Sequence, residues 1–236
     1  MLKYKRVLLK LSGEVLGGKQ ECGIDQEALK YFVSEIKSAY DKGIIFGIVI
    51  GGGNFIRGNQ FIKDSIIPKT EADYMGMIST VINGIALRNA FNHYGIPCKL
   101  VNSFPIEKIG EMYNQANVEQ YLHDKNILIF TGGTSNPYFT TDSAAALRAI
   151  EIGADLLVKG TKVDGVYTAD PVLDKNAVKY EKISYDEVYK HHLKVMDLTA
   201  ITLCMENKIP VAVYNVNKTG QLLELLEGKN IGTIVS

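Results

Sequence analysis

The sequence predicts an α/β fold, a three-layer sandwich around a mainly parallel central sheet, and three observations carry that prediction. Short β-branched runs alternate with longer segments of helical period along the chain. The run "IIFGIVI" (44–50) is apolar throughout instead of alternating, the pattern of a strand covered on both faces. No repeat, low-complexity tract or linker interrupts the 236 residues, so successive β–α–β units belong to a single domain, 1–236.

The elements follow in order. "RVLLKL" (6–11) reads as the first strand. Asp25 caps a helix whose apolar residues Leu29, Phe32, Val33, Ile36 and Tyr40 fall at i, i+3, i+4, i+7 and i+11. Gly43 ends it ahead of the strand 44–50. A long helix over 70–94 carries Met77, Val81 and Ile85 on one stripe, and Gly95-Ile96-Pro97 closes it. "CKLVN" and "NILIF" are further strands, with a helix expected over 106–123 between them. "TTDSAAALRAIEIG" is a capped, alanine-rich helix that leads into the strand "DLLVKGT". The last third holds a helix from Asp197 to Asn207, the strand "PVAVYNV", a helix over 219–227 and a terminal strand "GTIVS". The stretch 160–195 is irregular and tyrosine-rich, which predicts two lobes around one sheet.

Composition narrows the function. Lys plus Arg and Asp plus Glu both number 26, so an anion must be bound by positioned groups and not by overall charge. No basic stripe with interleaved aromatics points to nucleic acid. Cys22, Cys98 and Cys204 are far apart and form no metal spacing, as expected of free thiols in a reducing compartment. "MLKYKRVLLKLSGE" has too short an apolar run for a signal peptide, and no tract approaches a membrane span. A cytoplasmic protein is expected.

Three predicted strand ends carry glycine loops: "LLKLSGE", "VIGGGNFIRG" and "IFTGGTSNPYFTTD". Open α/β sheets bind ligands at the carboxyl ends of their strands. Glycine lets backbone N–H groups approach a phosphate closely. The loops match neither GxGxxG, since position 56 is Ile, nor GxxxxGK[ST]. Instead Lys10 sits inside the first strand, where a charge is costly unless it is paired or bound to an anion. Arg57 follows "GGGN", and Asp142 stands at the head of the alanine-rich helix, placed to orient Lys10 and share work with Mg²⁺. An isolated reading makes Asp142 or Thr141 an N-cap. A lysine, an arginine, an acid and several phosphate cradles together suit phosphoryl transfer, which is mostly positioning and electrostatic stabilisation. The four histidines fall outside every glycine loop and are expected at the surface.

These residues resemble a known family. "KRVLLKLSGE", "VIGGGNFIRG", "DYMGM", "NPYFTTDSAA", "KVDGVYTADP" and "LKVMDLTA" are similar to motifs of bacterial uridylate (UMP) kinases, in the amino acid kinase superfamily, over residues 5 to 217. The resemblance implies an amino acid kinase-like fold, with a UMP-binding lobe mainly N-terminal and an ATP-binding lobe mainly over 155–236. It implies transfer of the ATP γ-phosphoryl to UMP with Mg²⁺ in pyrimidine nucleotide synthesis, a homohexamer, and inhibition by UTP. By motif position Lys10, Arg57 and Asp142 would be catalytic. Lys10, Leu11, Ser12, Gly13, Gly53 and Arg57 would hold the ATP phosphates, and Thr161, Tyr167 and Asp170 its adenine and ribose. Gly52, Asp73 and the loop Thr134, Ser135, Asn136, Pro137, Tyr138, Phe139, Thr140 and Thr141 would hold UMP, with Asp73 on the ribose hydroxyls. No residue is assigned to the metal, and Lys159 and Lys162 are unranked phosphate contacts. Many relatives are activated by GTP. Arg88 and Lys99 keep a positive charge at two of the positions involved, but Asn92, Gln115 and Asn126 stand where relatives carry His, Trp and Arg, which predicts weak GTP activation. A kinase acting on a carboxylate or carbamate, or a non-catalytic nucleotide sensor, are the rival readings; neither explains Asp73 together with Lys10 and Asp142.

Overall fold

The computed structural model describes residues 2–20, 22–56, 66–169, 171, 173–193 and 195–236. Its elements are β1 (Arg6–Leu11), a 3-10 turn (Gly13–Val15), α1 (Gln26–Tyr40), β2 (Ile45–Ile50), α2 (Lys69–His93), β3 (Cys98–Asn102), β4 (Glu111–Met112), α3 (Gln115–His123) and β5 (Ile127–Thr131). Then follow α4 (Thr141–Glu151), β6 (Leu156–Thr161), β7 (Val166–Tyr167), β8 (Lys179–Tyr180), β9 (Lys182–Ile183), α5 (Tyr185–Lys190), α6 (Leu198–Glu206), β10 (Val211–Asn215), α7 (Gln221–Leu226) and β11 (Thr233–Val235).

Nine strands form one sheet in the order β4-β3-β5-β2-β1-β6-β10-β11-β9, while β7 and β8 pair separately. Within the large sheet only β10 and β11 run antiparallel; the other described pairs are parallel. Side-chain alternation divides each central strand between two cores. Val7, Leu9 and Leu11 of β1 pack with α1, α2 and α7, whereas Leu8 packs with α3, α4, α5 and α6. These are the three expected layers, and they explain why the central strands are apolar on both faces.

Local chemistry sets the helix positions. Asp25 caps α1 by accepting from the Ala28 N–H at 2.9 Å. Ala144, Ala145, Ala146 and Ala149 of α4 are fully covered, and their small side chains let the helix lie close on β1 and β2. Gly84 does the same for α2. A Cβ there would lie 2.4 Å from Thr131 Cγ2 and 2.6 Å from Leu100 Cδ1.

Two expectations need correction. The helix predicted over 106–123 begins only at Gln115, and Glu111–Met112 pairs with β3 instead. Gly110 turns the chain at φ 73°, and Asn114 starts the helix by accepting from the Asn117 N–H at 3.2 Å. The stretch 160–195 is not merely irregular, since it contains β7, β8, β9 and α5. The signal for α5 was present in "SYDE": Ser184 and Glu187 form a reciprocal capping box. All four histidines are exposed, as expected. Among the described residues no helix is long and apolar enough to cross a membrane.

The α2 packing yields a paired test. Gly84→Ala is expected to lower stability by about 1–3 kcal/mol through overpacking. Gly76→Ala, on the same helix with nothing within 4 Å of the added Cβ, is expected to be neutral or to stabilise by up to about 1 kcal/mol. Urea unfolding of both variants measures the difference.

Candidate functional site

Strands β2, β1, β6 and β10 end along one edge of the sheet, and the β1 register places Lys10 level with Val49 and Lys159. Because Leu9 and Leu11 face the α1 side, alternation sends Lys10 to the opposite face, where α4 begins. Lys159 shares that level and that face. Asp142, in the first turn of α4, meets both ammonium groups: its Oδ1 lies 2.7 Å from Lys10 Nζ and its Oδ2 2.7 Å from Lys159 Nζ. Lys159 also donates to the Val195 carbonyl at 2.6 Å. The Lys10 contact is an ion pair without hydrogen-bond alignment at Oδ1. Thr140 and not Asp142 caps α4, accepting from the Asp142 and Ser143 N–H groups at 3.0 and 3.3 Å, so the Asp142 carboxylate is free of capping duty.

The side chains of Lys10, Asp142 and Lys159 are only 11%, 13% and 16% exposed. Burial alone would raise the Asp142 carboxyl, but the charges of Lys10 and Lys159 outweigh it and hold the group below its ordinary value. Burial lowers Lys159, an effect that Asp142 opposes and Lys10 reinforces. Two ammonium groups share one directly paired carboxylate, with Asp197 a more distant negative charge acting on Lys159, so the contact itself keeps an excess of positive charge suited to an anion.

Two clefts meet at this triad. The first, about 750 Å³, is lined by Lys10, Ser12, Glu14, Gly51, Gly52, Gly53, Lys69, Asp73, Thr80, Gly133, Thr134 and the run Tyr138 to Thr141. The second, about 530 Å³, is lined by Lys159, Thr161, Gly165, Tyr167, His191, His192 and Val213. Asp142 thus joins a lysine on the wall of one cleft to a lysine on the wall of the other.

Backbone contact builds the floor of the first cleft. A Cβ on Gly13 would lie 2.4 Å from the Gly51 carbonyl and 2.8 Å from the Gly53 nitrogen, so the two glycine loops fit only with hydrogen at position 13. Asn83 of α2 donates to the Gly51 carbonyl at 2.8 Å and exchanges amide hydrogen bonds with Asn54 at 2.7 and 2.9 Å. The third loop is tied to α2 where the Gly132 N–H donates to Thr80 Oγ1 at 2.8 Å. At the outer end Asp73 pairs with Lys69 and accepts from the Tyr138 N–H at 2.8 Å. In the second cleft Thr161 Oγ1 donates to the Val163 carbonyl at 2.6 Å. The Tyr167 hydroxyl donates to Asp164, whose carboxyl it holds below the ordinary value.

Most of the expected site residues therefore converge. Ser12, Gly52, Gly53, Asp73, Thr134, Tyr138, Phe139, Thr140 and Thr141 share the first cleft with Lys10, and Thr161 and Tyr167 share the second. Ser135, Asn136 and Pro137 are not on the cleft walls; Asn136 is held to Thr134 by hydrogen bonds of its own turn. Leu11 buries its side chain in the core, so only its backbone is at the strand end. Arg57 and Asp170 lie outside the described residues.

Other residues take part in ways the sequence did not assign. Asp197 caps α6 and also accepts from the hydroxyls of Thr140 and Ser143, fastening α6 to the start of α4. Lys69 was not singled out, and no spacing announced its role. The pairing of Lys159 with Asp142 did have a signal, the same one as Lys10: a lysine inside an apolar strand.

Comparison with known proteins fits this arrangement. The family model described as the amino acid kinase family matches residues 5–215. A uridylate kinase of Porphyromonas gingivalis is 48% identical over 236 residues, covering 100% of this chain and 98% of that relative. The crystal structure of UMP kinase from Bacillus anthracis superposes with a TM-score of 0.96 at 34% identity, covering 99% of this chain and 96% of that one. UMP kinase from Ureaplasma parvum gives 0.93 at 37% identity, with both chains fully covered.

Removing the shared carboxylate exposes its contribution. Asp142→Ala leaves two buried ammonium groups facing each other, and a stability loss of about 3 kcal/mol is expected at neutral pH. Burial already holds Lys159 below the ordinary value of 10.5, and without its carboxylate partner it releases its proton still more readily, so the unfolded state binds more protons and the deficit shrinks as pH rises towards that value. Chemical denaturation across pH 7 to 10 reads both effects.

Proposed function

The chain belongs to the amino acid kinase family, and we propose that it transfers the γ-phosphoryl group of ATP to UMP, giving ADP and UDP. One observation carries this reading: two lysines from adjacent strands share Asp142 at the junction of two clefts. The relatives named uridylate kinase or UMP kinase support the choice of acceptor.

UMP occupies the first cleft and ATP the second, so that the moving group passes between Lys10 and Lys159. The bond from the γ-phosphorus to the ADP oxygen breaks as a UMP phosphate oxygen bonds to the same phosphorus. A nucleoside monophosphate is largely dianionic near neutral pH, so its oxygen attacks without a general base. The work left to the protein is to place the groups and offset the negative charge spread over the transferring phosphoryl. Lys10 and Lys159 supply the charge, and Asp142 positions them. Ser12, Gly13 and Gly53 cradle phosphate with backbone N–H groups, and Arg57 adds a further cation. Thr161, Tyr167 and Asp170 serve the donor nucleoside, and Asp73 serves the acceptor ribose.

Among the described residues no cluster of three His, Cys, Asp or Glu side chains forms a metal cage. Mg²⁺ brought in on the ATP phosphates, with the waters this ion commonly keeps, would neutralise phosphate charge there, and Asp142 is the carboxylate at the junction of the clefts that would face it or its waters. The chain acts as one domain, with an acceptor lobe mainly N-terminal and a donor lobe over 155–236. It works in the cytoplasm as a homohexamer in pyrimidine nucleotide synthesis, with UTP as a competing ligand of the acceptor cleft.

ADP formation from Mg-ATP with UMP, CMP, dUMP, acetylglutamate and carbamate tests the assignment directly. A strong preference for UMP is expected, with kcat falling about a hundredfold or more in Lys10→Ala. Turnover of a different acceptor would leave the kinase chemistry standing and remove UMP from it. Added GTP is expected to change the rate little: Gln115 already hydrogen-bonds Glu119 and the Glu151 carbonyl, and Asn126 the Tyr121 carbonyl. A several-fold rise at fixed ATP would contradict that expectation.

A further inference from the structure

We propose that Lys69 is a specificity-determining residue of the acceptor cleft: paired with Asp73, it recognises the ribose 2′-hydroxyl of the acceptor and offsets the repulsion between Asp73 and the acceptor phosphate. The inference rests on the acceptor reading of the first cleft given above.

Helix stability does not account for this lysine. Lys69 is the first residue of α2, and no side chain caps that end. A cation there opposes the positive end of the helix dipole. Its partner lies four residues further on, and lysine preceding the acid is the weaker order for such pairs. The pair nevertheless faces the first cleft, both residues lining it, and the Asp73 side chain is only 20% exposed.

Counting donors and acceptors defines what the pair still offers. Lys69 Nζ lies 2.7 Å from Asp73 Oδ1 and 2.8 Å from Oδ2. The Tyr138 N–H donates to Oδ2 at 2.8 Å. A carboxylate has about four acceptor positions and an ammonium three N–H donors. Three of the first and two of the second are engaged, leaving one acceptor and one donor side by side among the described residues. A hydroxyl is both donor and acceptor, so one ribose hydroxyl can give its proton to Asp73 and accept from Lys69. The Lys69 ammonium also lies 5.6 Å from the centre of the Tyr138 ring, which ties it to the loop that lines the cleft. Charge completes the case. An unneutralised Asp73 would repel a phosphorylated acceptor entering the same cleft, and Lys69 cancels that charge.

Lys69 is remote from the transferring group in this reading, so its loss moves acceptor affinity and not the chemical step. For Lys69→Met, KM for UMP is expected to rise about tenfold, with kcat and KM for ATP unchanged. The preference for UMP over dUMP should narrow, because a site built to bond a hydroxyl loses its discrimination with the bond. Lys69→Arg should restore most of the affinity. Titration calorimetry of UMP and dUMP without ATP gives the same comparison independently of turnover, and the thermal midpoint of each variant checks folding. An unchanged or lowered KM for UMP in Lys69→Met would overturn the proposal, and so would an equal rise for UMP and dUMP. Wild-type protein that neither binds nor turns over UMP would refute the acceptor assignment itself, and this inference with it.

Discussion

Everything at the active edge depends on how two buried ammonium groups are neutralised. Lys10 and Lys159 sit level on neighbouring parallel strands and point to the same face, an arrangement that repels itself until an anion is supplied. Asp142 supplies one charge. That requirement dictates where α4 must begin, why Thr140 and not Asp142 takes the cap, and why α6 is fastened to the same point through Asp197. The single carboxylate does not finish the task, and the remaining positive charge makes the junction a place for phosphate.

A second constraint is closeness of backbone. The loops after β1 and β2 touch at Gly13 and Gly51, and the Asn54–Asn83 amide pair locks the second loop to α2. Buried amides with every group bonded rigidify what they hold. The result is a stiff floor for an anionic ligand, placed beside a donor cleft whose walls come from β6, β7 and the segment around His191 and His192. Stiff positioning with fixed charge is the requirement of phosphoryl transfer, where little covalent chemistry falls to the protein.

The outer end of the acceptor cleft follows the same logic at lower cost. Lys69, Asp73 and the Tyr138 backbone form a compact polar group in a partly open setting. Such a group adds little to folding, since exposed ion pairs contribute little. Its value lies in what it presents to a ligand.

Much of this was readable along the chain. Apolar runs without alternation gave away strands with two covered faces, Asp25 and the "TTD" run marked helix starts, and a lysine inside "VLLKLSG" was costly enough to demand a partner. The glycine loops belonged to the same reading. Where local signals conflicted or were short, the reading failed: the helix before Asn114 dissolved into an edge strand, and the capping box at Ser184 was passed over. Lys69 carried no local signal of its own, Asp197 signalled only the start of a helix, and the partner of Lys159 was undefined. Their roles arise from residues distant in the chain that the sheet register and the helix layers bring within 3 Å or so of one another. Periodicity and side-chain chemistry are properties of neighbours in sequence, so the chain alone specified the elements and the kind of charge they carry. Which charges share a counterion, and which pair faces a cleft, is a property of register and packing, so only the assembled fold settles it.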